Sequence, residues 1–465
     1  MSIDENLLET IRAEIGLNFP VTVADLCNLV KIPSVSFEGF DLEHVQNSAA
    51  AVKALFEELE LFEEIKIVTA PVPGKETHGK PAILARRKPK NGAATVLLYA
   101  HHDVQPEGDP ELWETPPFEP TLKGERIYGR GVADDKAGVM THVAALRQLK
   151  SLNADPNLGL ALFIEGEEES GSPSFANLLK ENADFLESDV IIVADSGNWN
   201  VDTPAITTAL RGNVRFTIDI ATLEHASHSG MFGGVLPDAT MAAIKLLSTF
   251  WNESGEVAVK GLTTWETETP EYDDAQLKHE AAPLEGVEQI GTGTILGRIW
   301  GKPSVTVTGM DIPSVRNASN TLAPNISVVV SIRIAPGQAA KDAWAAIEKH
   351  IAENIPFGAH YSIRDLELGN PILVDVTGEA AETMICATEA AWNETVVLQG
   401  VGGSIPFIAE LKDTYPKAEV LVTGVEDPQS MAHSPNESLH LGVFRRGIES
   451  EALFLATLDS RPYNS

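Results

Sequence analysis

The sequence predicts an α/β protein, a mixed and largely parallel sheet flanked by helices, interrupted by an inserted α+β domain. Three observations carry this. Over the first 210 residues short apolar runs alternate with helical patterns, as in sheets whose strands are buried on both faces. Near Arg211 the texture changes to a period of two, which fits an antiparallel sheet with one covered face. Beyond residue 375 the helical and buried-strand patterns return.

Taken in order, "VQNSAAAVKALFEELELF" reads as a helix, "ATVLLYA" as a strand and "DDKAGVMTHVAALRQLK" as a helix; "LGLALFIE" and "DVIIVAD" are strands. "NVRFTIDIA" alternates polar and apolar residues and leads through "HSGMFGGVLPD" into the helical "ATMAAIKLLSTFW". "ISVVVSIRIAPG", "QAAKDAWAAIEKHIAE" and "HYSIRDLEL" repeat strand, helix and strand. Residues 212–375 are therefore expected to form a second domain inserted into a first, which comprises 1–211 and 376–465. Within the insert, the acidic "TETPEYDDAQLKHEAAPLEG" reads as a surface excursion. "EAAETMICATEAAW" resumes helix, and "AEVLVTGV" adds a buried strand to the first domain.

A chain of 465 residues exceeds one small core. With 43% hydrophobic and 22% charged residues it has the balance of a soluble globular protein. The net charge of -33 opposes nucleic acid or an anionic membrane as partner, because both would repel it. Cys27 and Cys386 are the only cysteines, which excludes a disulfide framework and a cysteine-based zinc site and fits a reducing compartment. No apolar run approaches the ~20 residues of a membrane helix, and "MSIDENLLETIRAEIG" is unlike a signal peptide; the cytoplasm is the expected location.

Potential metal ligands follow three of the apolar runs: "HHDV" after "LLYA", "EEES" after "LALFIEG", and "DSG" after "VIIVA". In open parallel sheets the loops at the carboxyl ends of strands share one edge, so these endings can meet in one cleft. Asp134, in "YGRGVADDKAG", and His433, in "EDPQSMAHSPNE", are further candidates. Singly each has a bland explanation, a helix cap for Asp134 or Asp135 and a surface imidazole for His102 or His433. The combination points to a metal. In extended chain residues i and i+2 share a face, so His101 and Asp103 point together and His102 points away. Asp103 can then accept a hydrogen bond from the second ring nitrogen of a metal-bound His101. Two histidines and three carboxylates suit zinc, manganese or cobalt. With Asp134 shared, each of two ions receives one histidine and one further carboxylate, leaving the open position that hydrolysis needs.

"HHDVQP", "YGRGVADDKAG", "IEGEEESGS", "ADSGNWN", "SHSGMFGG" and "MAHSPNE" resemble, in order and approximate spacing, the di-metal peptidase and deacylase family of carnosine dipeptidases, glutamate carboxypeptidase, aminoacylase and succinyl-diaminopimelate desuccinylase. The likeness runs from about residue 95 to 440 and is strongest to the dipeptidase branch. It implies His101, Asp134 and Asp195 around one ion and Asp134, Glu169 and His433 around the other, with Asp103 orienting His101 and Glu168 as general base and then acid. Glu167 is left as a bystander. A cis peptide between Asp134 and Asp135 is implied as well. The insert resembles the family's lid and dimerisation domain, so a homodimer is expected, and His228 is implied to stabilise the oxyanion, within its own subunit or across the dimer. Arg333, in "SIRIAPG", and Gly403 and Ser404, in "GVGGSIPF", are implied to hold a substrate carboxylate. Ala100 stands where the family often has glycine, and the motifs carry an extra histidine and an extra glutamate; no implied ligand is lost.

These residues lead to an expected activity, metal-dependent hydrolysis of dipeptides or short peptides with a free C-terminal carboxylate, using two zinc or manganese ions. One rival is deacylation of N-acetyl or N-succinyl amino acids at the same site; another is a non-catalytic metal-binding protein on this scaffold. Nucleotide binding is excluded, since "GVGGSI" lacks the third glycine of a dinucleotide loop and no GxxxxGK[ST] occurs.

Overall fold

The computed structural model describes residues 3–403 and 406–463. It forms two compact units: residues 1–208, 374–399 and 410–465 make the first, and residues 209–373 with 400–409 the second.

In the first unit the strands lie in the order Glu64–Val68, Ala82–Arg87, Gly159–Glu165, Thr95–His101, Val190–Val193, Glu419–Val422 and Ala205–Leu210. The four strands from Gly159–Glu165 to Glu419–Val422 run parallel, and antiparallel strands flank them. Every residue of Thr95–His101 and Gly159–Glu165 is buried, which is why these runs are apolar without alternation. Register sets His101 opposite Glu165 and Tyr99 opposite Val193, so the chain leaves all three strands at one edge. The helices Glu5–Val30, Lys136–Leu152, Glu379–Trp392 and Leu441–Asp459 supply the apolar side chains packed into this core.

His142, in the helix Lys136–Leu152, is enclosed there. Its Nδ1 donates to Glu451 Oε1 at 2.8 Å and its Nε2 to the Tyr99 carbonyl at 3.0 Å. Two donor nitrogens make it an imidazolium. Burial opposes that charge, but the Glu451 carboxylate and the carbonyl outweigh it and hold the His142 pKa above its ordinary value. A raised folded-state pKa stabilises fully below the unfolded value of about 6.5, and the contribution is lost as pH rises through the folded value. Glu451→Gln is therefore expected to cost about 3–5 kcal/mol at pH 6, with the gap narrowing as pH rises. Denaturant melts of both proteins at pH 6 and 9 check this; a gap independent of pH would contradict it.

The second unit is an antiparallel sheet in the order Ser304–Met310, Asn325–Ile334, Gly212–Ala221, His360–Gly369. Along Asn325–Ile334, Ile326, Val328, Val330, Ile332 and Ile334 are buried, and the intervening side chains are not. This period of two covers one face with the helices Ala239–Ser248 and Ala340–Asn354. The acidic stretch holds one short helix, Asp274–Ala281, capped by the Asp273 carboxylate, and its side chains are mostly exposed.

Candidate metal centre

His101 ends its strand, and Asp134 lies in the loop before the helix Lys136–Leu152. In that loop Gly131 has φ +77°, and a Cβ there would stand 2.3 Å from Val104 Cγ1, so the chain can pass only with glycine. The Asp134–Asp135 peptide is cis. Asp135 turns away from the cleft: Oδ2 accepts from His101 N at 3.1 Å and Oδ1 from Gly138 N at 3.2 Å, which caps the helix.

The two oxygens of Asp134 are divided between two histidines. Oδ1 lies 3.1 Å from His101 Nε2, and Oδ2 lies 2.9 Å from His433 Nε2. Glu169 Oε2 is 3.1 Å from the same His433 nitrogen. One donor atom each of His101, Asp134 and Glu169 lies within 4.8 Å of the others. Asp195 follows the strand Val190–Val193 and is within electrostatic reach of His101, Asp134 and His433, though no hydrogen bond joins it to them among the described residues.

The glutamates divide by position. After the strand Gly159–Glu165 the chain makes a turn of 3-10 helix over Glu168–Ser170, closed by Gly171 at φ +87°. Glu165 is buried, accepts from the Tyr99 hydroxyl at 2.6 Å, and is pushed up to about 8 by burial. Glu167 faces away, accepting from Lys80 N at 2.8 Å and from Ser174 N at 2.7 Å, and so anchors the loop. Glu169 accepts from Gln105 N at 3.1 Å and Gln105 Nε2 at 2.7 Å. The Glu168 carboxylate forms no hydrogen bond among the described residues, and burial, with Asp195, Glu169 and Glu165 nearby, raises its pKa well above the usual range against the pull of His101.

Asp103 has two tasks. Its Oδ1 and Oδ2 accept from Glu168 N at 3.2 Å and Glu169 N at 3.1 Å, and Oδ2 also takes the Ser36 hydroxyl at 2.7 Å. His101 Nδ1 lies 3.1 Å from the Asp103 carbonyl and 3.4 Å from Oδ1. The carbonyl is the closer partner because the side chain is turned toward the glutamate turn. His102 points the other way, its Nε2 2.9 Å from the Pro81 carbonyl, and burial lowers it to about 4.

The electrostatics ask for cations. Burial pushes Glu169 up to about 7, with Asp134 adding repulsion, and raises Asp195 to about 6. Hydrogen bonds to Asp134 and Glu169 push His433 up to about 11. His101 rises despite burial through Asp103 and Asp134, and the two imidazoles hold Asp134 well below the carboxylate range. Among the described residues no lysine or arginine pairs with Asp134, Glu169, Asp195 or Glu168. Carboxylates without lysine or arginine partners, together with two imidazoles and no thiolate, form a donor set that fits divalent metal ions.

The remaining expected residues lie in the second unit. His228 is exposed, in the short strand Ser227–His228, and its Nδ1 accepts from Gly230 N at 3.0 Å, which leaves the proton on Nε2. Arg333 is half-buried opposite Asn213 and Ser304, with its pKa lowered by burial. Gly403 is half-buried; Ser404 lies outside the described residues. Sequence reasoning missed Gln105, Ser36 and Glu437. Gln105 and Glu437 stand inside quoted motifs, "HHDVQP" and "MAHSPNE", and their positions there were the available signal.

The family match, on this fold, defines a metallopeptidase. Residues 97–457 match the family model of peptidase family M20/M25/M40, and the chain belongs to that family. Among its relatives is the cysteinylglycine-S-conjugate dipeptidase of Corynebacterium striatum, 33% identical over 380 residues, covering 81% of this chain and 83% of that one. The Beta-Ala-His dipeptidase of Homo sapiens is 26% identical over 397 residues, covering 80% and 76%. Two solved structures share the fold: a di-peptidase from Saccharomyces cerevisiae (TM-score 0.82, 22% identity, 98% of this chain and 99% of that one) and human carnosine dipeptidase 1 (TM-score 0.81, 22% identity, 98% and 99%).

Proposed function

We propose that the chain hydrolyses the peptide bond of dipeptides and short peptides with a free C-terminal carboxylate. The observation that carries this reading is the division of the Asp134 oxygens between His101 and His433, with Glu169 beside His433 and the half-buried Glu168 next in sequence. Relatives named for Cys-Gly and Beta-Ala-His dipeptides support the substrate class.

His101, Asp134 and Asp195 would hold one divalent ion, and Asp134, Glu169 and His433 the other. The ions, zinc or manganese with cobalt as a substitute, supply Lewis acidity toward water and the scissile carbonyl. Glu168 takes a proton from the attacking water as its oxygen bonds the carbonyl carbon, then gives that proton to the departing amine nitrogen as the C–N bond breaks. Asp103 holds the Glu168 turn through its backbone N–H groups. His228, with its proton on Nε2, is suited to donate to the developing oxyanion. The planar fork of Arg333 suits a substrate carboxylate, and Gly403 and Ser404 are proposed to help bind that group.

A homodimer through the second domain is supported by the exposed apolar side chains Met231, Phe232, Val235, Leu236, Met241 and Ile244. The two free cysteines fit the reducing cytoplasm. Hydrolysis of Ala-Ala-type dipeptides is expected to exceed that of N-acetyl and N-succinyl amino acids by about tenfold or more. Faster release from the acylated substrates would assign the site to deacylation.

A further inference from the structure

Glu437 lies four residues beyond His433 and is wholly buried. Its Oε2 accepts from Arg130 Nη1 at 2.7 Å and Gly131 N at 2.9 Å. Oε1 accepts from Ala133 N at 2.9 Å and Asp134 N at 3.2 Å. The Glu437 carbonyl also takes Gly129 N at 3.0 Å. One residue therefore grips the loop that carries Asp134 from end to end, and it belongs to the segment that carries His433.

Elsewhere that segment is tied by Asn436, whose Oδ1 accepts from Glu114 N at 2.7 Å and whose Nδ2 donates to the Leu112 carbonyl at 3.0 Å, but among the described residues only Glu437 joins it to the backbone of the Asp134 loop. The His433 side chain is 58% exposed, and Met431, His433 and Asn436 all have positive φ. Its ends are tied down by a backbone bond from Ser438 N to Ser430 O, by the Asp427 carboxylate on Arg126, and by Glu437. We infer that Glu437 is a positioning residue for the metal centre, coupling the Asp134 loop to the His433 segment so that the shared aspartate and this histidine keep their spacing. The inference rests on the metal-centre reading above. A glutamine in its place keeps the shape but turns an NH₂ toward two of the four donors, which an amide nitrogen cannot accept. Two further buried carboxylates, Asp103 and Asp135, also touch proposed ligands, at Glu169 N and His101 N, whereas Glu451, on His142, touches none.

The test is zinc or manganese affinity of the full chain, by competition with a chromophoric chelator, beside the melting temperature of the metal-free protein. The wild type is expected to bind two ions. Glu437→Gln is expected to bind at least one of them about 10–100-fold more weakly, the range for loss of an outer-sphere partner. Glu451→Gln is expected to lower the melting temperature while keeping wild-type affinity. Should Glu437→Gln fail to fold, Glu437→Asp retains the charge but draws it back by one methylene, and is expected to weaken binding severalfold. Wild-type affinity in a folded Glu437 variant would overturn the inference and leave the metal centre standing. A wild type that binds no ion would overturn the metal centre and the inference with it.

Discussion

Glu168→Gln is expected to lower dipeptide turnover by about 10²-fold or more while leaving metal content unchanged. Glu168 and Glu169 are adjacent, and on a straight strand they would face opposite ways. The 3-10 turn over Glu168–Ser170, pinned by Asp103 on two successive N–H groups, removes that constraint. Glu169 is then engaged by Gln105 and His433, and the Glu168 carboxylate is left for proton transfer. Glutamine fills the same space and cannot take a proton from water. Metal content and kcat measured on one preparation separate the two effects: full activity would remove Glu168 from the reaction, and loss of metal would make it a ligand.

Asp134→Asn should be more damaging still, with loss of at least one metal equivalent. Each Asp134 oxygen faces a different imidazole, at 3.1 and 2.9 Å. An amide offers one acceptor, so one ion forfeits the shared ligand, and the remaining carboxylates lose a counter-charge they need. The expected fall in affinity exceeds the roughly 10–100-fold that follows loss of an outer-sphere partner. Elemental analysis after dialysis reads it directly, and two retained equivalents would show that Asp134 is not shared.

Much of this centre was legible because its residues sit where a continuous apolar run stops. "LLYA", "LALFIEG" and "VIIVA" could be read as buried strands, and the sheet aligns their ends at one edge. What was not legible depends on partners distant in sequence. Gln105 meets Glu169 and Ser36 meets Asp103 across more than sixty residues, and Glu437 meets Gly131 across 306. The i, i+2 rule set Asp103 on the His101 side, where its Oδ1 lies 3.4 Å from Nδ1, yet it could not say that backbone N–H groups of the glutamate turn would claim both carboxylate oxygens. Glu167 shows the same limit: set aside as a bystander, it holds Lys80 and Ser174 and thereby the loop. In the fold, the edge strand Glu64–Val68 and its neighbour Ala82–Arg87 escaped notice because "EIKIV" and "AILARR" are short and carry charged residues, so their patterns are weak. The helix Glu5–Val30 contains Pro20, which would ordinarily argue for a break.

The most direct test is to strip the protein of metal, add back zinc or manganese, and assay a panel of dipeptides for released amino acids. The account predicts no release from the metal-free protein and restored release as two equivalents are added. No release from any dipeptide with either metal would contradict it.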